Sequence, residues 1–379
     1  MEVVATYLRA PEAARRLGVT LPTLYAYVSR GRVNRVRAAD GRTSLFELDQ
    51  IEALRRSTGR AVPPPPSIDV QISTSITQLD EDGVRFRGRA IESLVGEGFE
   101  RVAEFLWSGE LPGPRPDWTA PDGLPAIGAD IGGLLALTAH LAATTPTSGP
   151  ADPGIEATRA LLAAIPRAAG VGDDGVYAGR IARMWHDRPD PTLVRAVDTA
   201  LVLLADHELA LSALAVRVAT STRSSPLASL LAGLATAEGG LHGGASHHVH
   251  DLLQEIERRG DVQTVLTDRL DRSERIPGFG HAVYRQRDPR VDPLLHAVRQ
   301  LPDHDGRLPV IEALLDVAGA RLTQHPNVDL GLGALTYVAQ LPPDAPLFPI
   351  ARIAGLTAHR IEELHERPLR FRGLSRRPV

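Results

Sequence analysis

Three stretches of this chain carry side chains able to move protons against a largely apolar background. "ADHE", residues 205–208, sets two acids and a histidine within a run of alanine, leucine and valine. Burying an unpaired charge is costly, so these groups must face each other or a polar cavity. "GGLHGGAS", residues 239–246, places His242 between two glycine pairs. Glycine loses more conformational freedom on folding than other residues, but it lets other groups approach the backbone closely. Two such pairs imply that something must come near that ring. "RIPGFGHAVYRQRDPR", residues 275–290, joins a glycine-rich turn to His281, Arg285, Arg287 and Arg290. Behind it, "HPNVDLGLGAL" puts Asp329 at the start of an apolar helix, where the helix dipole keeps an acid ionised. Histidines and a carboxylate are the residue types of general acid–base chemistry.

The elements that must position these groups are mostly helices. "IESLVGEGFERVAEFLWSGELPG", "IEATRALLAAIPRAAG" and "PLASLLAGLATAEGG" repeat apolar residues at helical spacing and are interrupted by glycine or proline. "ALVLLADHELALSALAVRVATST" is apolar nearly all round and predicts one buried central helix with the polar "ADHE" in its middle. "SIDVQISTSITQLDEDGVRFRG" reads as strand, and residues 112–153 as loops around one helix. No repeat of fixed period is present. The fold class is therefore mainly α.

With 379 residues the chain has room for two or three domains, and 43% hydrophobic against 23% charged residues is ordinary for a globular protein. There is no cysteine, which excludes disulfides, thiolate metal sites and cysteine nucleophiles. No apolar run is long enough to span a membrane and no secretory leader is evident, so the expected address is the cytoplasm. His247, His248 and His250 invite a metal reading, but the first two fall on different helix faces and no second ligand set accompanies them. A solvated or helix-packed cluster is preferred.

The net charge of −4 hides an asymmetry: residues 1–60 hold eleven arginines against six acids, a local +5. All basic residues are arginine. "AVPPPPS", residues 61–67, is a stiff extended linker that closes off this basic head. Within the head, "PEAARRLGVTLPTLYAYVSRGRV" predicts two short helices, the first stopped at Gly18 and the second capped by Thr20. A hairpin turning at Asp40-Gly41 and a third helix follow. Residues 1–57 resemble the winged helix-turn-helix module of the MerR and excisionase families, so residues 1–60 form an expected helix-turn-helix domain. The resemblance implies duplex DNA as a partner, with Tyr25, Tyr27 and Arg30 on the second helix and Arg35, Arg37 and Arg42 on or near the wing. A small helical cap with solvated arginines is the other reading of the same residues.

Residues 68–379 resemble the citrate synthase family. "GGLHGGAS", "IPGFGHAVYRQRDPR" and "PNVD" match its catalytic segments in order, "LVLLADHE" its oxaloacetate helix, "FPIARIAG" a later arginine helix and "ERPLRFRG" its tail. The resemblance implies a two-domain helical fold, with a smaller domain inserted at roughly residues 240–325, and a homodimer. It assigns His242, His281 and Asp329 to catalysis, with Asp329 as base, His242 donating to an enolate oxygen and His281 to the ketone. His207, Arg290 and Arg352 would hold oxaloacetate, joined by Arg367 from the neighbouring subunit. Ile276, Pro277, Gly278, Phe279 and Gly280 would contact the adenine of an acyl-CoA through backbone, and Arg285 a phosphate. Acetyl-CoA is then a co-substrate, no cofactor is permanently bound, and no metal is needed. Phe86 and Ser246 depart from the family's usual residues, as do "LGLG" after Asp329 and Ala210 and Leu211 near "HEL", although Ser212 keeps a hydroxyl. Three functions stay open: citrate formation from acetyl-CoA, 2-methylcitrate formation from propionyl-CoA, and a regulator that uses the synthase fold as a metabolite sensor.

Overall fold

The structure, a computed structural model, describes residues 7–38, 43–48, 50–51, 54, 71–80, 83–145, 153–240, 245–272, 274–281, 284 and 287–371. The chain divides into two compact units. One comprises Met1–Gln71, Asp261–Ile276 and Ala313–His325, and the other Ile72–Gly260, Pro277–Glu312 and Pro326–Val379.

In the first unit, strands β1 (Tyr7–Arg9), β2 (Arg35–Arg37) and β3 (Ser44–Glu47) form an antiparallel sheet in the order β1-β3-β2. Helices Ala10–Leu17 and Leu21–Ser29 lie between β1 and β2 in sequence. Gly18 ends the first helix at a φ of +65°, as its sequence predicts. Thr20 stands at the N-cap of the second without a side-chain cap; its hydroxyl instead meets Thr23 Oγ1 at 2.9 Å. Leu8, Ala13, Ala14, Leu17, Leu24, Val33, Phe46 and Ile51 make one core. β2 and β3 pair as the expected hairpin, Val36 opposite Leu45. The turn at Asp40-Gly41, Arg42 and the proline linker lie outside the described residues.

The second unit opens with a small antiparallel sheet of β4 (Thr77–Asp80), β5 (Gly83–Phe86) and β6 (Arg89–Ala90). Helices follow. The described residues of 112–153 hold one helix, Ile131–Thr144, among loops. The Leu347–Leu364 helix is buried continuously from Pro349 to Arg360, packed on helices Phe99–Ser108, Pro191–Leu204 and Leu211–Ser221. Such a position leaves no solvated face, so Arg352, His359 and Arg360 are buried along with the apolar residues of the stretch.

The single central helix expected across "ALVLLADHELALSALAVRVATST" is two helices, Pro191–Leu204 and Leu211–Ser221. The break falls on the polar residues. Ala205 O accepts a hydrogen bond from Gly355 N at 2.9 Å, and Glu208 adopts a φ of +50°. Gly355 is required for this approach, because a Cβ there would lie 2.5 Å from Ala205 O and 2.3 Å from Asp206 Oδ1. Off the helix axis, Asp206 and His207 reach partners that a continuous apolar helix would deny them.

Candidate active site

Asn327 builds the position of Asp329. As N-cap of the Val328–Val338 helix it accepts from Asp329 N at 3.0 Å, while its Nδ2 donates to Gly280 O at 2.7 Å. Its own N–H donates to Gly278 O at 2.9 Å, and Phe279 bridges Pro326. The Pro277–Gly280 loop is thereby pinned to the helix that carries Asp329. Gly278 turns at a φ of +82°, where a Cβ would press within 3.0 Å of both Leu330 and Val249. Burial pushes the Asp329 carboxyl up to about 6, with Arg290 opposing and Asp288 reinforcing the rise.

Asp288 holds Arg290 by its guanidinium edge. Arg290 Nε donates to Oδ1 at 2.9 Å and Nη2 to Oδ2 at 2.8 Å, and both residues are buried. The same carboxylate accepts from Arg290 N at 3.1 Å and from Val328 N at 2.9 Å. Above Arg290, 5.5 Å from its guanidinium carbon, lies the ring of Tyr284. Tyr284 ties the histidines together: His207 Nε2 is 3.0 Å from its hydroxyl, and its N–H donates to His281 Nδ1 at 3.2 Å. The His207 and His281 rings meet edge to face with centroids 5.3 Å apart.

Because His281 Nδ1 accepts, the neutral ring carries its proton on Nε2 and can donate from that side. Burial, and then Arg290, lower the His281 pKa despite Asp288. His207 is held neutral more firmly, by burial and then by Arg290, Arg352 and His281. The two imidazoles are thus neutral and lie beside two guanidiniums, Arg290 and Arg352.

Arg352 completes this cluster from the buried helix. Its guanidinium sits 4.8 Å from the Phe348 ring centroid and 4.0 Å from Asp206 Oδ1. Among the described residues its Nε and Nη1 make no hydrogen bond. Burial lowers its pKa to about 10 against the pull of Asp206. A buried guanidinium with open donors is suited to a carboxylate ligand, which it binds through two parallel bonds. Asp206 accepts from Thr77 Oγ1 at 2.5 Å and lies 3.3 Å from His359 Nε2, whose Nδ1 accepts from Arg217 Nη2 at 3.0 Å. Burial works to raise the Asp206 pKa, yet His359, Arg352 and Thr77 hold it below the ordinary value.

The structure thus brings together His207, His281, Arg290, Arg352 and Asp329, with the Pro277–Gly280 loop beside Asp329. Ile276 is buried in the other unit. Arg367 is exposed beyond the last helix. His242 and Arg285 lie outside the described residues. His247 pairs with Asp251 at 3.2 Å, His248 is exposed, and buried His250 meets Thr336 Oγ1 at 3.0 Å. Tyr284, Asp288 and Asn327 were not singled out from sequence, although each stands inside a motif that was. Thr77 and His359 carried no signal, because their partner Asp206 lies more than a hundred residues away in sequence.

The family sequence model described as "Citrate synthase, C-terminal domain" matches residues 135–372. A relative in Mycobacterium tuberculosis (strain ATCC 25618 / H37Rv), provisionally named citrate synthase 2, is 30% identical over 331 residues, spanning 79% of this chain and 88% of its own. The 2-methylcitrate synthase 1 of Corynebacterium glutamicum is 34% identical over 196 residues, 49% of this chain and 51% of its own. In fold, the chain is similar to citrate synthase from Thermoplasma acidophilum in ternary complex with carboxymethyl coenzyme A and oxaloacetate. That similarity has a TM-score of 0.69 at 24% identity, covering 82% of this chain and 95% of the other.

Proposed function

The chain belongs to the citrate synthase family and is a condensing enzyme of that kind, and from that premise we propose that it joins acetyl-CoA to oxaloacetate, releasing citrate and CoA. The observation that carries the substrate reading is the cluster of two buried guanidiniums, Arg290 and Arg352, around the neutral pair His207 and His281. A dicarboxylate with a ketone fits it: the arginines take carboxylates and His281 Nε2–H polarises the ketone oxygen. Asp329 removes a proton from the acyl methyl group, and the enolate oxygen receives a hydrogen bond from His242. The enol carbon attacks the ketone carbon, and hydrolysis of the resulting thioester frees CoA. Backbone of the loop 276–280 and the side chain of Arg285 hold the nucleotide.

The domain layout proposed with this reading is a winged helix-turn-helix head at 1–60, a linker at 61–67 and a condensing body at 68–379 with a smaller inserted domain near 240–325. Sheet order β1-β3-β2 with two helices before the hairpin supports the head's assignment. Arg35, Val36 and Arg37 of β2 are all exposed, as a phosphate-contacting wing requires. A cytoplasmic homodimer is proposed, each site receiving Arg367 from the other subunit. Exposed Leu211 and Val218, on one face of their helix, suit burial against a second copy.

Propionyl-CoA is the alternative substrate, since one methyl group changes binding by only roughly 1–3 kcal/mol. The decisive experiment measures CoA release with acetyl-CoA and with propionyl-CoA, each with oxaloacetate. Faster turnover of acetyl-CoA is expected. Faster propionyl-CoA would replace the first reading by the second, and no release with either, alongside oxaloacetate-dependent DNA binding, would leave the sensor.

A further inference from the structure

We propose that Asp288 is a positioning residue that locks the substrate-binding Arg290 to the helix bearing the base Asp329, so that the anion site and the base are set by one carboxylate. The inference rests on the condensing reading above, and it assigns Asp288 no contact with substrate. The carboxylate is buried and accepts four hydrogen bonds: Arg290 N, Nε and Nη2, and Val328 N, at 2.8 to 3.1 Å. Val328 is the first residue of the helix, so Asp288 satisfies one of the otherwise open N–H groups there. Asp329 is the next residue along.

The geometry has two consequences. First, Asp288 uses the Nε edge of Arg290, which fixes the guanidinium plane and leaves Nη1 to an incoming carboxylate. Second, it places a negative charge against the first turn of the helix beside Asp329. Among the described residues the charged and titratable groups acting on Asp329 are Arg290 and Asp288, with burial the leading influence; Asn327 is its neutral neighbour at the N-cap. Removing the Asp288 charge also leaves Arg290 unpaired, so both changes favour the ionised form of Asp329.

Asp288→Asn tests this, because the amide keeps the shape yet turns an N–H₂ toward Arg290 Nη2 and Val328 N or, in the other orientation, toward Arg290 N and Nε. In the full chain, oxaloacetate binding to the free enzyme, read by calorimetry, is expected to weaken at least about tenfold, with the KM for acyl-CoA within about threefold. The acid limb of kcat is expected to move to lower pH. Asp288→Glu keeps the charge but displaces it by one methylene. It should weaken oxaloacetate binding similarly while leaving the acid limb near its wild-type position, and it decides the matter if the asparagine variant does not fold. Unchanged oxaloacetate affinity in the folded variants, or the same acid limb in Asn and wild type, overturns the proposal. Failure of the wild type to bind oxaloacetate or release CoA would instead overturn the condensing reading itself.

Discussion

As the proposed base, Asp329 must be ionised to take a proton, yet burial pushes its carboxyl up to about 6. Turnover should therefore fall on the acid side through about that pH. The same shift bears on stability. An unfolded aspartate ionises near 3.9, so below that value both states are protonated and Asp329 contributes nothing. Above the folded value, the native state bears the full penalty of holding a charge in a buried place, on the order of 3 kcal/mol. Asp329→Asn should lower turnover by several orders of magnitude, since the base is gone. It should also raise resistance to heat or denaturant at pH 7.5 and lose that gain near pH 4. Near-native turnover would remove Asp329 from the base's role, and equal stability at pH 7.5 would contradict its burial as a charge.

At the scale of elements, the site depends on where helices stop and how closely they approach. The Leu347–Leu364 helix carries Arg352 and, one turn on, Gly355, whose missing side chain lets Ala205 and Asp206 reach its backbone. Gly355→Ala would force a Cβ to 2.3 Å from Asp206 Oδ1. Overpacking of this kind costs about 1–3 kcal/mol or more, and the displaced 205–207 segment should carry His207 with it, weakening oxaloacetate binding. Gly319→Ala is the matched contrast. It lies exposed in the Leu308–Arg321 helix with nothing within 4 Å of a new Cβ, and alanine there should stabilise by up to about 1 kcal/mol. Equal denaturation midpoints for the two variants would mean that the close approach at Gly355 does not constrain the fold.

For the whole molecule, assembly and the basic head are the open quantities. If Arg367 completes the neighbour's site as proposed, Arg367→Ala and His281→Ala subunits, each inactive alone, should recover activity when mixed as hybrid dimers. No recovery in verified heterodimers would mean that one chain builds each site. The head carries a local +5 and exposes Arg30, Arg32, Arg35 and Arg37. Duplex DNA binding should fall steeply with salt, as phosphate neutralisation releases counterions, and vanish when residues 1–60 are deleted while CoA release survives. Absence of binding at low salt would leave the head as a cap or docking module.

Contiguity decided what could be read in advance. Helical content follows from apolar periodicity, and the acid–base groups are legible because each stands in a short motif: His281 and Arg290 in one, Asp329 in another, His207 in a third. A dipole-favoured acid two residues after an asparagine is a local arrangement, and local arrangements leave a pattern in sequence. The break at residues 205–210 was not legible, because those residues leave the helix for partners elsewhere: Gly355 for Ala205, and Thr77 for Asp206, 129 residues away. Nor was the His359–Arg217 contact, which joins residues 142 apart. Only tertiary structure could turn three separate motifs into one cluster, since bonds closed across such distances have no period along the chain, and burial together with the neighbouring charges raises the Asp329 pKa and holds the histidines neutral.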